Sequence, residues 1–152
     1  MNAVNESERL LHLAQTCAGI NLRRATRAIN HYYDGRLLEA CDLRNTQIPL
    51  LVVLYLAGPL TINEMAERLD LDRTTLSRNL KPLQERRLII VASGRDQRSH
   101  VVTLTPQGGE ALLKALPVWE EVQANMVRGL GEDRFQTLLT GLAALSKLAD
   151  EA

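Results

Sequence analysis

Apolar positions in the first quarter of the chain recur at helical spacing. Leu10, Ala14, Cys17, Ala25, Ala28 and Tyr32 share one stripe, with Leu22, Ile29, Tyr33 and Leu37 beside it, which predicts one long helix over 8–40. A second helix is expected from about Thr46 to Ala57. Pro49 sits harmlessly in its first turn, and Gly58-Pro59 ends it. Its sequence, IPLLVVLYLA, is apolar nearly all round and predicts a central, buried element. Thr61 and Glu64 then form a T-x-x-E capping box, with Leu60 and Met65 at the staple positions, so a short helix should run from Ile62 to about Leu69. Asp72 can cap a further helix from Arg73 to about Arg86, buried through Leu76, Leu80 and Leu83.

The period then changes. LIIVAS and HVVTLT are short β-branched runs around the charged tip GRDQR, a hairpin signal. Thr105-Pro106 caps and opens the next helix, in which Leu112, Leu116, Trp119, Val122, Met126 and Leu130 form a stripe and Pro117 predicts a kink near Leu113. A last helix after Gly131 aligns Phe135, Leu138, Leu142, Leu145 and Ala149. The order places a short helix, a turn, a second helix and a hairpin in sequence, the plan of a winged helix-turn-helix. The long striped helices at both ends carry more apolar face than so small a central module can cover. A second copy of the chain is the simplest cover.

Composition narrows the class. The 152 residues are about one domain's worth, and a chain of that length should bury roughly 68–70% of its unfolded surface. With aromatics at 3%, leucine and alanine must carry the packing, which favours helices. No apolar run approaches the ~20 residues that cross a bilayer. The opening MNAVNESERL lacks the basic and then apolar regions of a secretory signal. Cys17 and Cys41 are too few for a disulfide scaffold, and a cytoplasmic location is the expectation.

The formal net charge of zero conceals an asymmetry. From Arg73 to His100 the chain carries Arg73, Arg78, Lys81, Arg86, Arg87, Arg95 and Arg98 against Glu85 and Asp96, about +5, so the remainder is about −5. Such a block is either a footprint for a polyanion or a solvated helix face. In a helix-turn-helix the N-terminal residues of the second helix reach base edges in the major groove. Here those are Arg73, Thr74, Thr75, Ser77 and Arg78, with Lys81 on the same face. Arginine can donate twice to guanine, and Ser/Thr hydroxyls serve bases or phosphates. At the hairpin tip, Arg95 adds charge, and Asp96 can fix the direction of Arg98 toward a narrow minor groove. Standing alone, the tip would read as a solubilising turn.

DRTTLSRNLKPLQERRLI followed by GRDQRSHVVTLTPQG resembles the recognition helix and wing of the MarR family of bacterial transcriptional regulators. The wing pattern D-x-R-S…LT is matched by Asp96, Arg98, Ser99, Leu104 and Thr105. NLRRATRAINHYYDGRL is similar to the first dimerisation helix of one branch of that family. The resemblance covers nearly the whole chain. It implies a mainly α fold with a β-hairpin wing, in which 1–42 and 107–152 form a helical dimerisation region and 43–106 the winged helix-turn-helix. It further implies a homodimer that binds palindromic double-stranded operators, a repressor in expectation, released by a small aromatic or phenolic acid. Arg23, Arg27 and His31 are the expected ligand-binding residues. Where the family often has glycine after the recognition helix, this chain has Arg87, which a left-handed backbone would strain. Pro82 inside that helix predicts a local kink.

Other readings are thinner. One MarR branch sets a reactive cysteine against two tyrosines in the first helix. Aligned on Tyr33, Cys17 falls two residues from that position, and Ile48 replaces the second tyrosine, which favours a buried, inert thiol. His12, His31, Cys17, Cys41, Glu39 and Asp42 are metal-ligand types without tight ligand spacing, so no metal or cofactor is expected. The chain has no G-x-S-x-G, P-loop or H-E-x-x-H pattern, and an enzyme is not expected. A non-specific architectural DNA-binding protein would share the basic, dimeric character.

Overall fold

The computed structural model describes residues 3–94 and 100–151. Helix α1 (Ala3–Thr16) and helix α2 (Ala18–Cys41) stand where one long helix was expected. The break is at Cys17, whose backbone is extended (φ −63°, ψ 116°). Side chains supply the reason. Asn21 Nδ2 donates to the carbonyls of Gln15 and Cys17 at 2.9 and 3.0 Å, and Thr16 Oγ1 donates to the His12 carbonyl at 2.8 Å. Asn21 thus satisfies the Gln15 carbonyl, one of those that the end of α1 leaves without a backbone donor, while the Cys17 carbonyl also accepts the Asn21 backbone N–H.

Helix α2 stops at Asp42, which is left-handed (φ 55°). The connection is pinned to α2 by polar contacts. Asp34 Oδ1 accepts the Asn45 N–H at 2.7 Å, and Asn45 Nδ2 donates to Asn30 Oδ1 at 2.8 Å. A 3₁₀ turn (Asn45–Gln47) leads into α3 (Ile48–Ala57), which Gly58 ends at φ 78°. Helix α3 is central but not buried all round. Leu50, Leu51 and Leu54 are in the core, whereas Val52, Tyr55 and Leu56 face outward.

The remaining elements are β1 (Leu60–Thr61), α4 (Ile62–Leu69), α5 (Arg73–Glu85), β2 (Ile89–Ser93), β3 (His100–Leu104), α6 (Pro106–Leu130) and α7 (Glu132–Asp150). Helices α5 and α6 continue through Pro82 and Pro117. The antiparallel sheet has the order β1-β3-β2, with Leu60 opposite Val102 on one side of β3 and Val91 opposite Val102 on the other. Strand β1 has no counterpart among the expected elements, because two residues are too few to show a period.

Leu43, Leu50, Leu51, Met65, Leu76, Leu83, Leu88 and Val102 form the centre of the core, between α3, α4, α5 and the sheet. Each such side chain contributes roughly 1.5–3 kcal/mol on burial. Leu60 and Met65 are both buried, as their staple positions predict. Helices α2 and α6 pack together and are joined by Tyr33 Oη donating to Gln123 Oε1 at 2.9 Å and by an Arg36–Glu121 ion pair at 3.1 Å. Burial, and then the neighbouring Tyr32, push the Tyr33 phenol above its ordinary value. The outer stripes stay uncovered within one chain. Leu10, Leu11 and Leu13 of α1 and Leu138, Leu142, Leu145 and Leu148 of α7 are all exposed.

Candidate nucleic-acid interface

Local chemistry sets both helices of the helix-turn-helix. The Thr61 N–H donates to Glu64 Oε2 at 2.7 Å, and the Glu64 N–H donates to Thr61 Oγ1 at 3.2 Å, the reciprocal pair of a capping box. The Thr61 N–H and then its hydroxyl hold the Glu64 carboxyl below the usual carboxylate range. Left-handed Asp70 (φ 49°) ends α4 and turns the chain. Asp72 then caps α5, accepting from the Thr75 hydroxyl at 2.6 Å and the Thr75 N–H at 2.8 Å, which lowers its own pKa in that order of effect.

The leucine period of α5 decides which residues face outward. With Leu76, Leu80 and Leu83 buried, Arg73, Thr74, Ser77, Arg78 and Lys81 are all exposed. Thr75 differs from its neighbours. Its hydroxyl proton is directed to Asp72, so toward any further partner the oxygen can act only as an acceptor. Lys81 lies 4.0 Å from Glu85 on its own helix, a weak exposed pair. Arg87 is left-handed (φ 58°), the strained geometry expected where the family has glycine, and it is exposed. Arg86 points elsewhere: its guanidinium is held by Asp42. Arg95, Asp96 and Arg98, with the expected Asp96–Arg98 pairing, lie outside the described residues.

The base of the wing is built into the end of α5. Thr105 caps α6 by accepting the Gly108 N–H at 3.0 Å, and its backbone N–H donates to the Leu88 carbonyl at 3.1 Å. Gly108 makes this approach possible, since a Cβ there would stand 2.1 Å from the Leu88 carbonyl oxygen. Neither the Thr105–Leu88 contact nor the need for glycine is visible in the sequence alone.

Arg23, Arg27 and His31 are exposed along α2 and line one open groove of about 720 Å³, together with Asn30 and Asp34. All its lining residues come from α2, so within one chain this groove has a single wall. A second groove of about 560 Å³ lies between α3 and α6, walled by Val52, Tyr55, Leu56, Leu113, Leu116 and Trp119. It follows from the outward face of α3, where full burial was expected. Cys17 is half-buried at the α1–α2 break, more accessible than the inert core thiol expected. Cys41 is half-buried too. Burial pushes its thiol up, and its Sγ lies 3.2 Å from the Leu37 carbonyl. Among the described residues no three His, Cys, Asp or Glu side chains are grouped to hold a metal ion, and no helix is long and apolar enough to cross a membrane.

Residues 42–99 match the model of the MarR family. The chain is 36% identical to the transcriptional regulator MosR of Mycobacterium tuberculosis in its crystal structure with DNA, with a TM-score of 0.79 over 89% of this chain and 97% of that one. A second crystal structure of MosR gives 33% identity and a TM-score of 0.78, covering 91% of this chain and 99% of that one. It is also 26% identical over 141 residues to the uncharacterized HTH-type transcriptional regulator YwaE of Bacillus subtilis (strain 168), covering 92% of this chain and 81% of that one.

Proposed function

The chain belongs to the MarR family of DNA-binding transcriptional regulators, and from that premise we propose that it is a repressor that binds palindromic operators as a homodimer and is released by a small organic acid. The observation that carries the DNA-reading part is the outward face of α5. Arg73, Thr74, Ser77 and Arg78 are exposed at its start, with the Asp72 cap and three buried leucines holding that face in place. This is the end of a recognition helix that reads base edges. The likeness to MosR, solved with DNA at 36% identity, supports the same placement.

The uncovered leucines of α1 and α7 support the homodimer, in which residues of about 8–33 and 118–149 cover one another across a two-fold axis. We assign 1–42 and 107–152 to that dimerisation region and 43–106 to DNA binding. The wing tip, through Arg95, Asp96 and Arg98, adds minor-groove and phosphate affinity. Arg23, Arg27 and His31 offer two guanidiniums and an imidazole to an anionic ligand, in a groove that a second protomer would complete. Such a ligand acts by binding the DNA-competent and DNA-incompetent dimers unequally.

Footprinting with the intact protein, against competing random DNA, tests the reading. The expected result is a symmetric footprint with half-sites about one helical turn apart, or a multiple of it, and preference over random sequence. A folded 16.9 kDa monomer at micromolar concentration, or protection of a single unsymmetrical half-site, would overturn it.

A further inference from the structure

Arg86 belongs to the basic block by sequence, where its charge suggests a phosphate contact. Its position in the fold says otherwise. One guanidinium nitrogen donates to the backbone carbonyl of Asp42, and Nη2 lies 3.1 Å from Asp42 Oδ2. Its side chain is 34% exposed, whereas Arg73, Arg78, Lys81 and Arg87 are exposed. Both partners terminate helices: Asp42 is the left-handed cap of α2, and Arg86 is the cap of α5. The Asp42 carbonyl is among the acceptors that a helix end leaves without an intrahelical donor, and a cation there also suits the helix dipole.

We propose that Arg86 is a positioning residue that pins the end of the recognition helix α5 to the end of the dimerisation helix α2, and so sets which half-site spacing the dimer accepts. The proposal rests on the homodimer and palindrome reading above. Helix α5 packs on α4, β2 and the 3₁₀ turn, while α2 packs on α6 and that same turn. Among the described residues, the Arg86–Asp42 contact is the one polar link between the ends of α2 and α5. Exposed ion pairs add little stability. A two-point guanidinium contact instead fixes direction.

The lever is long enough to matter. Helix α5 has 13 residues, so Arg73 lies about 20 Å along the axis from the pinned end. The buried leucines of α5 fix it to the elements around it, so they move as one unit. A pivot of that unit by about 10° about Arg86 moves the reading end by about 3.5 Å, close to the 3.4 Å step of one base pair. Two such pivots in a symmetric dimer blur the register between half-sites.

The experiment measures affinity of the full-length wild type, Arg86→Ala and Arg86→Lys for an operator of natural spacing and for versions with one base pair added or removed at the centre, across a salt series. Wild type should prefer natural spacing by tenfold or more. Arg86→Ala should lose at least fivefold of that preference with its salt slope unchanged. Arg86→Lys keeps the charge but not the two-point geometry, so it should also lose selectivity. It is the test case if Arg86→Ala does not fold. Wild-type spacing preference in the variants would overturn the proposal. So would a salt slope in Arg86→Ala reduced by about 0.9, the mark of one lost phosphate contact. A wild type indifferent to spacing would overturn the palindrome reading itself, and this inference with it.

Discussion

Thr105 Oγ1 lies 2.8 Å from the carbonyl oxygen of Arg87, so the residue that caps α6 also holds the strained exit of the recognition helix. The same hydroxyl is 3.0 Å from the Leu88 carbonyl and accepts the Gly108 N–H. One side chain therefore ties α5, the wing strands and α6 together. Thr105→Val keeps the shape and removes these bonds. It should cost about 1–2 kcal/mol, read as a fall of roughly 2–8 °C in melting temperature, with Thr105→Ser restoring most of it.

Gly108 meets the carbonyl of Leu88, a backbone atom that cannot rotate away, and an added Cβ would also stand 2.8 Å from Leu104 Cδ1. Gly108→Ala should destabilise by roughly 1–3 kcal/mol through overpacking, measured by chemical denaturation. The neighbouring Gly109 has 3.9 Å or more of room, so Gly109→Ala should be far milder.

The two caps of the helix-turn-helix predict its response to acid. Thr61 lowers the Glu64 carboxyl, and Thr75 lowers that of Asp72. A folded-state pKa below the unfolded value means the stabilisation is present above the unfolded value and is lost as pH falls through the folded one. The stability these two caps contribute should therefore be constant near neutrality and decline below about pH 4. The double variant Glu64→Gln/Asp72→Asn should show a shallower decline in denaturation curves taken across that range.

On the proposed reading, Arg78 serves bases and Lys81 serves phosphates on the same helix. Arg78→Ala should cost roughly 1–3 kcal/mol on the preferred operator and relax specificity at one base pair. Lys81→Ala should weaken all sequences alike and reduce the salt slope by about one. A salt titration on operator and random DNA checks both. Equal losses on the two DNAs for Arg78→Ala would remove it from base reading.

Cys17 sits half-buried at the α1–α2 break, and the tyrosine oxygen of Tyr33 is engaged by Gln123. Cys17→Ser should bind operator as wild type does and still release it with the cognate organic ligand. Release by dilute organic peroxide in wild type, abolished in Cys17→Ser, would reassign the signal to thiol oxidation.

What the sequence determined by itself is what its near neighbours in the chain decide. Thr61 with Glu64, Asp72 with Thr75 and Thr105 with Gly108 are each three residues apart, so the helix starts follow from local hydrogen bonding whatever the rest of the chain does. The leucine period of α5 likewise assigns its inner and outer faces. The uninterrupted apolar stripe over 8–40 did not reveal the break at Cys17, because hydrophobic period is blind to the Asn21 side chain bonding backbone carbonyls. Arg86 on Asp42, Tyr33 on Gln123 and Thr105 on Arg87 join residues 44, 90 and 18 positions apart. Only the packing of whole elements brings such groups within bonding distance. The same packing left one face of the apolar helix α3 uncovered and turned one arginine of the basic block, Arg86, onto Asp42.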